Sequence, residues 1–457
     1  MIDWYMILFL AAGIIIFVLN KVAEHRTPHE YLLLGGKYGI KQGTILLWAS
    51  FFGGYSLFMP AYFVYHFDLL ISVGYFLCFS LFIYFVTAGV LRKSQMNGVN
   101  EPVLTQWYRN KFTATGFRFF LPLLIVANLD GLLLQLTLAN KLFRLWFPQQ
   151  PGLFVALILL FCVIIAGLGG MFTIYRTVHL LLFICGFAFL FVPLFLYLKD
   201  GIHPIFEAYL TFKNNDQGLG WADMLTLFAA LPLAFIGWLL TNSFFVQVLM
   251  SIKGNYRIPS LKLSIFCAAS IPASILIYGI YMVSKYHPDS FFLFSSELMR
   301  NSSGIILFLI SLVWLSGVVH SLVISLYSMA SLFLYTFPNR WHPAKKIRIM
   351  YLMVMVLSLL VYISQYWLVN YVTILFVGYL LFYLTVSFPL RALVGSDKKY
   401  SYGLASFIAL FWCLGIILFL VSQSVFLAVK MTILFSVVCT AGLKLSNFSK
   451  MGNILQK

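Results

Sequence analysis

Trp48-Ala49-Ser50-Phe51-Phe52-Gly53-Gly54-Tyr55, continuing to Met59-Pro60, sits inside a run from about residue 44 to 66 that holds no Asp, Glu, Lys or Arg. A helix crossing the hydrocarbon core of a bilayer needs about 20 mostly apolar residues, and this run supplies them. Its interior is interrupted by a glycine pair and then a proline. Backbone can unwind inside a membrane only where other protein groups or a cavity take up its freed polar atoms. The run therefore reads as a membrane helix broken near its middle. Five apolar runs later, Leu231-Pro232-Leu233-Ala234-Phe235-Ile236-Gly237-Trp238 again places Pro and Gly near mid-span. That spacing predicts a second break and two five-span repeats related by inversion.

Composition places these two runs in a membrane protein. Of 457 residues, 62% are hydrophobic and 9% charged, against about 25% charged in soluble domains. So little polar surface excludes a large water-soluble enzyme, and so much hydrophobicity excludes a disordered chain. The six cysteines lie in apolar runs without a CxxC pair, which argues against a disulfide framework or a zinc site. The first apolar run has no basic leader and no small-residue cleavage motif, and reads as a retained span.

Candidate spans fall at about 4–20, 44–66, 69–91, 118–146, 153–173, 178–198, 222–250, 262–284, 303–335, 349–367, 371–390, 402–421 and 425–443. The expected architecture is an all-α polytopic protein of about 13 transmembrane helices. Spans 2–6 (44–198) would form one repeat and spans 7–11 (222–390) the other. The spans at 402–443 would be additions, all within a single domain 1–445, followed by a short basic cytoplasmic tail, 446–457. With the N-terminus outside and the C-terminus inside, 23 of the 30 basic residues fall on the cytoplasmic side and six on the other. That bias is the positive-inside pattern, and it accounts for the net charge of +17 without nucleic acid. The loops leave no room for a soluble catalytic domain, and no GxxxxGK[ST], HExxH or GxSxG motif occurs. An enzyme is not expected.

Three segments resemble the sodium:solute symporter family, whose fold is of the LeuT type. Ile165-Ala166-Gly167-Leu168-Gly169-Gly170-Met171, followed by Phe172 to Thr177, is similar to its fifth-span Gly-Gly segment with the Thr-Asp couple after it. Val246-Gln247 followed by Lys253 resembles the Val-Gln-Arg…Lys at the inner end of its seventh span. His320-Ser321-Leu322 through Ser328, Ser331 and Phe333 resembles its Ser-rich ninth-span motif. The resemblance covers about residues 1–445. It implies a sodium site made of carbonyls from the broken second span, around Ser50, Phe51 and Gly53, and of adjacent hydroxyls from the ninth. Here the second hydroxyl is Ser321, but the first position is His320. Three positions where relatives carry acids read Ser50, Val178 and Val323. Sodium wants oxygen ligands, whereas an imidazole titrates near neutral pH, so the coupling ion is left open between Na+ and H+.

Ionisable residues at membrane depth are costly and point to function. Asp130, in Ala127-Asn128-Leu129-Asp130-Gly131, and His320 are the two to weigh, each against a purely structural hydrogen-bonding role. The ion candidates are therefore Ser321, His320, Ser50, Phe51, Gly53 and Asp130. Tyr55, Phe58, Phe235 and Trp238 flank the expected breaks, and Asn242 and Gln247 are polar positions in the seventh span. These six are the solute-pocket candidates, although Asn242 and Gln247 could equally join helices.

The expected function is secondary active symport of a small solute across the plasma (cell inner) membrane. No cofactor is expected beyond Na+ or H+ as coupling ion, and the expected partners are the solute and the lipid bilayer, with no nucleic acid. A non-transporting membrane sensor that keeps the fold is the first alternative, favoured by the missing carboxylates. A lipid-linked glycan flippase is the second, and would require an even number of spans and basic residues lining a cavity.

Overall fold

The computed structural model describes residues 38–52, 63–93, 103–215, 220–286, 304–336, 343–394 and 399–455, with Gly13 and Tyr31 as single residues. All the regular secondary structure among them is helical. In chain order the helices begin with α1 (Ile40–Phe51), α2 (Leu69–Lys93), α3 (Val103–Lys111), α4 (Ala114–Trp146) and α5 (Pro151–Val163). A π-turn, Ile164–Leu168, extends α5. Next come α6 (Gly170–Asp200), α7 (Ile202–Asn215), α8 (Trp221–Thr241), α9 (Ser243–Ser251) and α10 (Arg257–Tyr286). The last are α11 (Gly304–Thr336), α12 (Pro343–Leu368), α13 (Val372–Val394), α14 (Tyr402–Ser422) and α15 (Val425–Leu455).

Eight stretches among the described residues are helical, long and apolar enough to cross a membrane, and Pro151–Gly167 and Val425–Ala441 are shorter apolar helices. One of the eight, Lys345–Val394, holds two of the expected spans, which meet at the 3-10 turn Val369–Tyr371. The expected first span, 4–20, lies outside the described residues apart from Gly13. Large apolar side chains such as Phe183 (71% exposed), Phe266 (78%) and Val421 (79%) stand on the outer faces of helices. Water would not tolerate that much exposed apolar surface, and lipid explains it. The protein is a multi-pass integral membrane protein.

The chain divides into two units. The first comprises residues 1–81, 131–219 and 247–370. Its centre is α11, which packs against α1, α5, α6 and α12, while α10 packs on α1, α6 and α7. At the α6 and α10 ends, Asp200 accepts a hydrogen bond from Tyr281 (2.7 Å) and pairs with Lys285 (3.1 Å). Tyr38 donates through its amide to the Ser251 carbonyl (3.0 Å) and accepts from the Lys253 amide (3.1 Å). Both partners lie in stretches that the charge count placed on the basic side.

The second unit comprises residues 82–130, 220–246 and 371–457. Here α13 packs against α8, α14 and α15, and α8 also meets α15. The polar break Ser422-Gln423-Ser424 separates α14 from α15 because Gln423 adopts a left-handed conformation, φ 54°. Lys430, one turn into α15, reaches Asp223 in the first turn of α8 (3.0 Å). The snorkelling expected of a lysine near a span end is directed at that carboxylate.

Candidate functional site

In the first unit, α1 stops at Phe51, and Phe52 is extended (φ −104°, ψ 117°). Breaking a helix strands the carbonyls of its last turn, and those carbonyls carry the negative end of its dipole. His320, wholly buried in α11, faces that end. Its Nε2 meets the Phe52 carbonyl, its Nδ1 lies 2.8 Å from the Ser316 carbonyl, and the Ala49 carbonyl is also within its reach. The imidazole stacks on the Phe52 ring, with centroids 5.1 Å apart and planes at 12°. A carbonyl can only accept, and a neutral imidazole has one N–H. Serving Ser316 and Phe52 at once takes a ring protonated on both nitrogens.

The three segments that carry the family resemblance meet around α11. The Tyr31 hydroxyl donates to the Ala166 and Gly167 carbonyls (2.8 and 2.7 Å), inside the π-turn. Tyr327 on α11 donates to the Tyr31 carbonyl (3.0 Å). Gly170 has φ +57°, and a Cβ there would lie 2.7 Å from the Tyr31 carbonyl; the left-handed turn and the close approach both require glycine. Gln247 donates from Nε2 to Ser331 on α11 (2.5 Å). It ties α9 to α11.

In the second unit, the seventh span does break, but not at Pro232 or Gly237. Pro232 lies inside α8, and the interruption comes at Asn242 (φ −76°, ψ 108°), between α8 and α9. Asn242 caps the next helix, its Oδ1 accepting from the Phe245 amide (2.8 Å), an arrangement that favours Asn at a helix start. A second amide holds the break from outside. Asn128 on α4 donates from Nδ2 to the Leu124 and Thr241 carbonyls (2.8 and 2.9 Å), and its Oδ1 accepts from the Ser243 amide (2.9 Å). Gly237 serves packing instead, since a Cβ there would stand 2.0 Å from the Tyr383 carbonyl. Without a side chain, α8 can lie against the backbone of α13.

Two residues beyond Asn128, Asp130 is buried, and its Oδ2 is 2.5 Å from the Tyr383 hydroxyl. The same hydroxyl is 2.9 Å from the Ala127 carbonyl. Among the described residues no basic side chain pairs with Asp130.

No family model matches this sequence, and no curated protein matches it. Solved structures do. A Na+-coupled sialic acid symporter, in a substrate-bound outward-open state, superposes with a TM-score of 0.73 over 95% of this chain and 96% of that one, at 16% identity. A manganese transporter of Eremococcus coleocola superposes with a TM-score of 0.50 over 92% of this chain and 97% of that one, at 15% identity. The same transporter bound to an aromatic bis-isothiourea compound gives the same TM-score. This is a transporter fold.

Within that fold the expected site residues fall into two groups. The first unit brings His320 to the end of α1. It turns the Ser321 hydroxyl toward α4, where a Cβ on Gly131 would be 3.8 Å from it and 2.1 Å from Ser325 Oγ. Ser50 donates back to the Leu46 carbonyl of its own helix (3.0 Å), and Phe51 is half-buried. In the second unit Phe235 and Trp238 are half-buried with rings 5.5 Å apart, and Trp238 also meets Phe245 (5.9 Å). Gly53, Tyr55 and Phe58 lie outside the described residues. Sequence reasoning missed Asn128, Tyr383 and Tyr31. Asn128 carried the only available signal, an amide beside an acid at membrane depth.

Proposed function

We propose that this chain is a secondary active transporter, a proton-driven symporter of a small organic solute, and a divergent relative of the sodium:solute symporters. The observation that carries this reading is the imidazole of His320 among the Ala49, Phe52 and Ser316 carbonyls at the broken end of α1. Carbonyls freed by an unwound membrane helix are what a coupling cation binds. Here a side chain that becomes a cation only on protonation occupies that position.

Two hydroxyls at positions of the family's motifs support H+ over Na+. Ser50 bonds the Leu46 carbonyl (3.0 Å) and Thr177 the Thr173 carbonyl (2.9 Å), so each is turned back onto its own helix. Val178 and Val323, at positions where relatives have acids, are buried. From α5 and α6, the thiols of Cys162 and Cys185 are directed at the Val319 and Val313 carbonyls of α11 (3.8 and 3.9 Å). The break at Asn242 gives the seventh span the interruption that an inverted-repeat carrier requires, five spans after the first.

The test is uptake into proteoliposomes under separate Na+ and H+ gradients, with wild type, His320→Ala and Ser321→Ala. Sialic acid, the solute of the similar symporter, is the first probe in a panel of small organic solutes. Accumulation is expected to follow an inward proton gradient and to vanish in His320→Ala. Accumulation driven by Na+ alone would overturn the proton reading. Indifference to both gradients would overturn symport and favour a sensor that keeps the fold.

A further inference from the structure

Tyr383 has one hydroxyl proton and two acceptors within reach: the Asp130 carboxyl at 2.5 Å and the Ala127 carbonyl at 2.9 Å. With Asp130 ionised, both acceptors compete for that proton. The carboxylate then sits buried in an apolar helix with one neutral hydrogen bond for its charge, a costly arrangement. With Asp130 protonated, each donor has an acceptor. The carboxyl O–H donates to the Tyr383 oxygen, and the Tyr383 O–H donates to the Ala127 carbonyl. The phenol keeps one proton throughout, and only the carboxyl gains or loses one.

From this geometry we propose that Asp130 and Tyr383 form a proton-binding site, occupied in this conformation, that reports its occupancy to the break in the seventh span. The route is short. Ala127, Asn128 and Asp130 occupy one turn of α4, and Asn128 is the residue that holds the Thr241 carbonyl and the Ser243 amide. Loss of the carboxyl proton swings the Tyr383 proton to the carboxylate and frees the Ala127 carbonyl from α13. The turn that presents Asn128 thereby loses a tether. On the α13 side, the glycine contact at Gly237 sets the Tyr383 backbone directly against α8. Both faces of the site therefore touch the broken span.

The titratable groups around the site are few. From α13 they are Tyr383 and Tyr379, one turn earlier, with ring centroids 6.4 Å apart. From α3 there is Tyr108, whose hydroxyl is bonded to the Leu240 carbonyl (2.8 Å). Asp223 on α8 is paired with Lys430 on α15, and Arg391 is in the last turn of α13. At about 1.5 Å per residue along the helix, Arg391 is roughly 12 Å from Tyr383. On α4 itself, Lys141 and Arg144 are three or more turns beyond Asp130 at about 3.6 residues per turn.

This inference deepens the carrier reading by supplying a second protonation site, but its test does not depend on transport. Infrared difference spectra of the full-length protein in liposomes, taken between acid and alkaline pH, read the carbonyl stretch of a protonated carboxyl directly. A band present in wild type, absent in Asp130→Asn and shifted to higher frequency in Tyr383→Phe is expected. The Asn amide can still donate to the Tyr383 oxygen, so Asp130→Asn should keep its melting temperature, and Tyr383→Phe provides a second variant should it not. Protection against hydrogen exchange at Ser243 to Phe245, taken relative to the intrinsic base-catalysed rate, should fall at alkaline pH in wild type and not in Asp130→Asn. Identical spectra for wild type and Asp130→Asn would overturn the proposal, as would a band indifferent to Tyr383→Phe. Failure of uptake with an intact band would sink the carrier reading alone.

Discussion

Asn128 Nδ2 donates to the Thr241 carbonyl at 2.9 Å across 113 positions of sequence, and that carbonyl is the last of α8 before the break. The opposite end of the same side chain takes the Ser243 amide just past the break. One amide thus supplies a donor and an acceptor to the two backbone groups that a continuous helix would have satisfied internally. Replacement by Ala leaves both buried. Orphaned groups of this kind cost about 1–3 kcal/mol each, so Asn128→Ala should lower stability by a few kcal/mol. Thermal melting of the purified protein reads this. Asn128→Asp, which keeps an acceptor for Ser243 but turns a buried carboxylate toward the Thr241 carbonyl, should be no more stable than Asn128→Ala; equal melting of wild type and Asn128→Ala would show the clamp to be inert.

Gly237 and Gly186 offer a matched pair. A methyl at Gly237 would collide with the Tyr383 carbonyl at 2.0 Å, whereas nothing lies within 4 Å of the corresponding position at Gly186. Backbone cannot yield as a flexible side chain does, so Gly237→Ala must push α8 away from α13. Overpacking of this kind costs about 1–3 kcal/mol or more. Gly186→Ala, in the exposed interior of α6, should instead be neutral or stabilising by up to about 1 kcal/mol. Melting curves of the two variants, run side by side, decide whether the contact holds the helices together.

The difference between these two glycines also marks how far the sequence could be read. Long uncharged runs made the membrane class and most helix positions legible, because the bilayer requirement is local and one-dimensional. Depth singled out Asp130, and depth together with the family resemblance singled out His320. The position of the second break was not legible. Pro232 and Gly237 are the residues that usually interrupt helices, yet the actual interruption depends on Asn128, far away in sequence. Gly237 is needed by Tyr383, equally remote. Tyr383 itself is one of 26 tyrosines in a chain crowded with aromatics, and nothing in its span distinguishes it until the fold sets it beside Asp130. The alternative of a glycan flippase would have required cavity-lining basic residues. In the described structure Lys285 and Lys430 instead pair with Asp200 and Asp223 at helix ends.

Lys430 and Asp223 form an ion pair whose side chains are 44% and 37% exposed. Pairs this open contribute about 0–1 kcal/mol and weaken as salt screens them. Lys430→Met should therefore shift melting only slightly, and the shift should shrink in high salt. A large, salt-independent loss would mean that the lysine stem, rather than its charge, packs α15 against α8.

His320 yields the prediction with the clearest sign. Its two ring nitrogens face two carbonyls, Ser316 and Phe52, that only a doubly protonated ring can serve together. Acid therefore favours the latched end of α1, and rising pH removes one donor and releases one carbonyl. The C-terminal dipole of α1 and two charge-assisted hydrogen bonds favour the cation, while burial opposes it. The geometry fixes the direction of the response, and experiment supplies its midpoint. Nitrogen-15 spectra of labelled histidine should show both His320 nitrogens protonated on the acid side of one transition and a single tautomer on the alkaline side. His320→Gln retains an amide donor for one carbonyl but cannot titrate. Its uptake should be flat across the pH range where wild type changes, with KM for the solute altered less than the maximal rate. A His320→Gln profile that overlays wild type would remove the imidazole from coupling and leave Asp130 as the site of proton dependence.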